Sequence, residues 1–200
     1  MNLFFLAQNP QDAARLQADV HIVKMILELY QMLCTALRFA LNPFVWPFAL
    51  CKITHKNHPT TKWIRFSAEN YTWATQHGLA LCEEYTRRYG RTHALESKIL
   101  SLFSLPLPHF EAHKIADMFD TKKIAFHDIP NGLSFIPLAI ADDVFYDNAE
   151  YDGDHILGIS TYKNYYISKR YTMKRKMLWA KQDKIPKEFS ARKKVKRESE

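Results

Sequence analysis

QADVHIVKMILELYQMLCT, residues 17–35, decides the architecture. Val20, Ile22, Val23, Met25, Ile26, Leu27, Leu29, Met32 and Leu33 are core material, so the stretch reads as a helix packed on nearly all sides. At about 100° per residue, Gln17, His21, Lys24 and Glu28 fall within roughly 60° of one another, and Thr35 continues the line. An imidazole, an amine and a carboxylate on one stripe of a greasy helix must be paired or must border a cavity, because isolated burial costs several kcal/mol. The bland alternative is a surface Lys24–Glu28 pair at i,i+4, worth a few tenths of a kcal/mol.

Outward from this helix the chain reads as mainly α: one compact helical domain over 1–180 with long irregular loops and few or no strands, a basic C-terminal helix, and a basic disordered tail over 181–200. Asn9-Pro10 opens a helix running to about residue 40, with a bend near Ala18–Asp19. Residues 42–59 are irregular. Ser67 caps a helix that Gly90 ends after Arg87 and Arg88. Thr92 starts a third helix ended by Pro106, and 110–119 suggests a short one. Residues 120–160 are mixed and acidic, with turns at Pro130–Gly132 and Asp152–Gly153. A last helix is expected over 161–180.

Five glycines in 200 residues disfavour a turn-rich β chain, and neither GxGxxG nor GxxxxGK[ST] occurs. Three cysteines without metal spacing point to a reducing, intracellular setting. That setting is cytoplasmic, or nuclear or virion-associated in a eukaryotic virus. The N-terminus lacks the basic region of a signal peptide, and the apolar stretch over 37–50 is too interrupted to cross a bilayer. No membrane partner and no cofactor is expected.

Charge is uneven. Residues 1–160 carry 14 Lys+Arg against 17 Asp+Glu, whereas residues 161–200 carry 14 against 4. Residues 161–181 hold seven Lys/Arg and no acid, interleaved with Tyr162, Tyr165, Tyr166, Tyr171 and Trp179. Cations for phosphates and aromatic faces for bases suit distorted nucleic acid, so DNA is the expected partner, its phosphates contacted through residues 161–197. The competing reading makes those aromatics core and the lysines merely solvated.

Two further clusters stand out. THKNHPTTKW (54–63) gathers His55, Lys56, His58 and Lys62. It reads either as a substrate-binding loop, as half a metal site needing His21, Glu28 or His93, or as a rigid turn with His58 bonded to backbone. In ALCEEYTRRYGRTH (80–93), Glu84 and Arg88 either form helix-stabilising pairs or edge the same interior, where Arg88 would hold phosphate or a carboxylate, with His93 just beyond.

DVHIVKMILE (19–28), THKNHP…W (54–63), NYTW…LALCEEYTRRYG..H (70–93), YKNYY..K (162–169) and W…IP..F (179–189) together resemble a group of phage and large-DNA-virus proteins labelled pyrimidine-dimer DNA glycosylase. A more distant similarity is to endonuclease V-type glycosylase/AP lyases, whose ADxH…E pattern matches Ala18, Asp19, His21 and Glu28. The resemblance implies a DNA-acting enzyme on pyrimidine bases. Glu28 would be acid/base and stabiliser. An amine would attack the sugar C1′, followed by β-elimination. The match departs in two places. Asn2 is bulkier than that family's small second residue, and Leu27 stands where the family has arginine. The amine is then that of Met1 or of Lys24. His21, Glu28, Lys24 and Met1 are the expected catalytic set, with substrate contacts from His55, His58, Arg88, Glu84, His93, Tyr162, Tyr165, Tyr166 and Lys169, and no metal. A non-catalytic nucleic-acid-binding accessory or virion protein, and a metal-dependent hydrolase or nucleotide-modifying enzyme, are the alternative classes.

Overall fold

The computed structural model describes residues 2–40, 49–110, 119–173, 176–179 and 185–189. Among these the chain is mainly helical. The expected first helix is two: α1 (Pro10–Arg15) and α2 (Asp19–Ala40). Asn9 caps α1 by accepting from the Asp12 amide at 2.7 Å. α3 (Pro59–Ile64) falls where the sequence suggested only a loop. α4 (Ala68–Tyr89) has Ser67 as its cap, and Gly90 takes the left-handed φ of 66° that ends it. α5 (Glu96–Phe103) starts four residues later than expected, because His93 turns its Nδ1 onto the Leu95 amide at 3.2 Å. The helix expected near 110–119 lies almost wholly outside the described residues.

Residues 120–157 form small pieces. β1 (Ile124–Ala125) pairs antiparallel with β2 (Ile136–Pro137), and α6 (Asp142–Asn148) follows. β3 (Tyr151–Asp152) and β4 (His155–Ile156) make a hairpin around Gly153. α7 spans Gly158–Thr172, shifted towards the N-terminus from the expected 161–180; residues 176–179 are not helical. The boundary placed at 181 lies outside the described residues, and beyond it structure is described over 185–189. Lys187–Phe189 form a 3-10 turn, with Phe189 buried against Tyr166 and Trp179 and its carbonyl taking Arg170 Nη1 at 2.8 Å. Residues 190–200 lie outside the described residues.

α4 packs against α1, α2, α3 and α5. The N-terminal segment threads beside it: Leu3, Phe4, Phe5 and Leu6 are all buried. Phe5 meets the edge of Trp63 at 4.9 Å between ring centroids and stacks on Trp73 at 4.8 Å. Trp63 donates Nε1–H to the Phe135 carbonyl at 2.7 Å, which ties α3 to the segment before β2. α2 has the length and mean hydropathy (1.4) of a membrane helix, but 67% of that stretch is buried inside the protein, so its greasiness is used by the core. Val23 and Leu27 are the exceptions to the expected core set, both facing solvent.

The break between α1 and α2 is wired by side chains from distant elements. Arg88 of α4 donates to the carbonyls of Arg15 (3.0 Å) and Gln17 (2.8 Å), and Trp179 donates to that of Leu16 (3.1 Å). The Ala18 amide donates to the Tyr166 hydroxyl at 2.8 Å. Helix-end groups that water would otherwise serve are thus satisfied in the interior. His77 completes the joint. Its Nδ1 donates to the Pro10 carbonyl at 3.0 Å, so its Nε2 accepts from the Gln17 amide group at 3.1 Å.

Two consequences are measurable. A methyl group at Gly158 would lie 2.6 Å from Ile136 Cδ1 and 3.1 Å from the Ala125 Cβ. Gly158→Ala should lower unfolding stability by about 1–3 kcal/mol, and Ile136→Ala combined with it should cost less than the two single losses added, by denaturant titration. Burial lowers the pKa of His77 from 6.5 to about 4. Between those values the unfolded chain binds a proton that the folded chain refuses. Stability is therefore full above pH 6.5 and falls on acidification. His77→Gln should remove about 1.4 kcal/mol per pH unit from that slope over pH 6.5 to 4.

Candidate active site

α2 presents the expected stripe. Lys24 Nζ lies 3.0 Å from Glu28 Oε1, but the two are unequally placed: the lysine side chain is 67% exposed and the carboxylate 13%. The lysine therefore lacks the burial that would make it an activated amine. The carboxylate sits at the protein–solvent boundary with a cation on its outer side.

His21, one turn before Lys24, is buried beside the Phe4 ring (4.9 Å between centroids), and its Nδ1 is 2.5 Å from the Tyr166 hydroxyl. That hydroxyl already accepts from the Ala18 amide. Its own proton has His21 Nδ1 as the acceptor beside it, which assigns the imidazole proton to Nε2. Burial, reinforced by the charges of Lys169 and Lys24, lowers the His21 pKa to about 3. His21 is a neutral hydrogen-bond donor.

His58 comes to the same condition by another route. It caps α3, accepting from the Thr60 amide at Nδ1 (3.2 Å), with Pro59 at the first helical position. Burial lowers its pKa to about 4; His55 and Lys62 push the same way and Glu28 opposes them. That opposition places Glu28 within electrostatic reach of His58. With both imidazoles neutral and holding Nε2–H, Glu28 is the proton acceptor among the predicted α2 and α3 groups.

His58 opens onto a cleft of about 270 Å³ with Lys62, Phe119, Asp120, Lys123 and Leu138 among its walls. This is at the small end for ligand sites. Lys62 stands over the Phe119 ring at 5.2 Å, and burial, with Arg65 nearby, lowers its pKa. The cleft borders the chain's start: Asn2 donates to the Ala139 carbonyl at 2.9 Å, and its Oδ1 accepts from the Phe4 amide at 3.0 Å. This holds Phe4 at a φ of 50°. From α7, Lys169 lies 4.7 Å over the Tyr165 ring, which in turn is 6.5 Å from Phe4.

Site residues thus divide. His21, Lys24, Glu28 and His58 gather around α2 and the start of α3, with Tyr165 and Lys169 alongside. His55 is exposed on the approach to His58, at a φ of 48°. Met1 lies outside the described residues. Arg88 is a correction: its guanidinium is fully buried on Glu84 (2.6 Å), Asp19 (2.9 Å) and the α1–α2 carbonyls, so no phosphate reaches it and it does not hold Glu28. Glu84 is likewise internal. Burial would raise its carboxyl, but Arg87 and Arg88 hold it below the usual range. His93 is engaged in the α4–α5 turn against Tyr85. Tyr162 and Tyr166 are core side chains with engaged hydroxyls, Tyr162 donating to the Pro137 carbonyl at 2.7 Å, so neither ring can stack on a base. Among the described residues no three His, Cys, Asp or Glu side chains come together as metal ligands would. The sequence reading missed α3, although His58-Pro59 is a capping signal, and missed Asn2, whose partner is 137 residues away.

Residues 1–97, which carry α1 to α4 and with them His21, Lys24, Glu28 and His58, match the family model described as pyrimidine dimer DNA glycosylase. No curated protein and no solved structure matches the chain. The segment that builds the α2–α3 site, just under half of the chain, is therefore similar to the pyrimidine dimer DNA glycosylase family.

Proposed function

We propose that the chain excises a damaged pyrimidine from DNA at the rim where α2, the α3 cap and the N-terminal segment meet, with Glu28 as acid/base. The observation that carries this reading is the half-buried Glu28 carboxylate, bridged to Lys24 at 3.0 Å and felt by a neutral His58. A carboxylate in that setting accepts a proton from an attacking amine or water and stabilises positive charge building on the sugar.

In the lyase form an amine attacks C1′ and the glycosidic bond breaks, its electrons going to the pyrimidine N1, which takes up a proton; in a dimer that base stays joined to its neighbour through the cyclobutane ring. Glu28 receives the proton that the amine gives up and returns it to O4′ as the C1′–O4′ bond opens, which leaves the imine, and loss of a C2′ proton then expels the 3′ phosphate. In the plain glycosylase form water replaces the amine and no imine forms. Nε2–H of His21 and of His58 would orient the sugar or the water. Lys169 supplies a cation for the flanking phosphates, and Lys24 does so where the amine is that of Met1. Lys24, exposed and paired with Glu28, is the alternative amine, which would act without activation by burial.

Glu28→Gln should lower glycosidic cleavage of DNA carrying a single thymine dimer, read as alkali-labile strand breaks, by about 10²–10⁴-fold while DNA binding persists. Equal activity in Glu28→Gln would end the reading and leave a DNA-binding protein. Borohydride should trap wild type on the lesion strand if an imine forms. Loss of the adduct in Lys24→Ala assigns the amine to Lys24. Persistence assigns it elsewhere, and absence of any adduct with glycosidic cleavage intact leaves the water-using form.

A further inference from the structure

Beside the ionisable stripe α2 carries a second one. Val20, Val23 and Leu27 fall within about 60° of one another on the helix, directly flanking Lys24 and Glu28. Val23 is 44% exposed and Leu27 48%. Leu178, 51% exposed, extends the ridge at its N-terminal end, where its carbonyl accepts from the Asp19 amide at 2.8 Å. Val20, Val23 and Leu178 share a hollow of about 330 Å³ with Lys24, Lys176 and Tyr89. Nothing in the core needs these aliphatic groups to face outward. An apolar ridge edged by cations and abutting the proposed acid/base is unlike a scatter of single exposed residues.

Resting on the glycosylase reading, we propose that the Val23–Leu27–Leu178 ridge is a wedge that enters the base stack of duplex DNA and opens the lesion towards Glu28. The charge supports duplex DNA over an uncharged partner, since Lys24 and Lys176 stand where flanking phosphates would pass. The chemistry supports it too. A base inside a duplex must leave the stack before C1′ and the glycosidic bond can be reached, and aliphatic side chains slipped between base steps are a recurrent means of opening them. Leu27 is the residue next to Glu28, so opening and chemistry would occur one side chain apart.

The test uses full-length protein and one lesion strand with a single thymine dimer, presented alone and as a duplex with 2-aminopurine opposite the dimer. Wild type should raise 2-aminopurine fluorescence on binding. Leu27→Ala and Val23→Ser, both at exposed positions, should cut that rise about threefold or more. They should slow glycosidic cleavage of the duplex, read as alkali-labile strand breaks, about tenfold while changing that of the single strand less than about twofold. No fluorescence rise with wild type, or an undiminished rise in both variants, overturns the wedge. So does equal slowing on single strand and duplex. A dimer in sedimentation that Leu27→Asn splits would instead assign the ridge to a second copy of the chain, and overturns it as well. If wild type leaves no alkali-labile site in either substrate, the glycosylase reading fails by itself, while the fluorescence arm still decides the ridge.

Discussion

The Arg88 guanidinium bears more of this structure than any other group. It sits wholly inside, on α4, and spends four hydrogen bonds on the joint between α1 and α2 and on two carboxylates, Glu84 and Asp19. Taking a guanidinium and two carboxylates out of water costs several kcal/mol per ion, which only full pairing recovers. The geometry meets that demand because the chain breaks its helix here. An unbroken helix from 10 to 40 would use the carbonyls of Arg15 and Gln17 internally and leave Arg88 only its two carboxylates. The break and the buried arginine are therefore one feature. Removing the arginine would take the guanidinium from two carbonyls and two acids, of which Glu84 keeps Arg87, a class of change that costs about 3–5 kcal/mol.

The direction of α2 follows from that joint, and the state of the site follows from the direction. Tyr166 reaches the joint from α7, receives the Ala18 amide, and has His21 Nδ1 beside it as the acceptor for its own proton. The tautomer of a predicted catalytic histidine is thus assigned by a tyrosine of another helix. His58 reaches the same neutral, Nε2-protonated form by capping α3. Two histidines that look like acid–base groups in the sequence are hydrogen-bond donors in the structure, and it is on the proposed reading that Glu28 takes the proton.

What could be read in advance followed the range of the interaction. The mainly helical architecture, the caps at Asn9 and Ser67, the stop at Gly90 and the bend near Ala18 are all local, and each has a signal within four residues. The stripe of His21, Lys24 and Glu28 is periodicity and survived intact. The aromatic C-terminal helix misled because composition reports residue types but not facing: Tyr162 and Tyr166, four apart, share the buried side, and only Tyr165 and Lys169 reach the site. Arg88 misled in the opposite way. Nothing within its own helix distinguishes a surface i,i+4 pair from a buried one, and the partners that settle the matter lie about 70 residues away. The outward Val23 and Leu27 were invisible for a related reason, since a helix apolar nearly all round does not declare which side lacks a neighbour.

The unequal burial of the Lys24–Glu28 pair bears on how such a site would work. An exposed ion pair is worth little in water and is easily exchanged. Lys24 can leave Glu28 for a phosphate at small cost, whereas Glu28, held at the boundary, cannot follow. On the proposed reading a docking duplex would draw the lysine outward and exclude water from the carboxylate in the same movement. Lower local polarity strengthens the interaction of that carboxylate with positive charge at C1′. The pair then acts as a stopper: it keeps Glu28 compensated while the site is empty and releases it when a polyanion arrives. A fully buried pair would be too costly to separate, and a fully exposed one would leave the carboxylate in water at the moment of reaction. The intermediate placement meets both conditions, and it depends on α2 leaving the Arg88 joint at the angle that puts Lys24 outside and Glu28 on the edge.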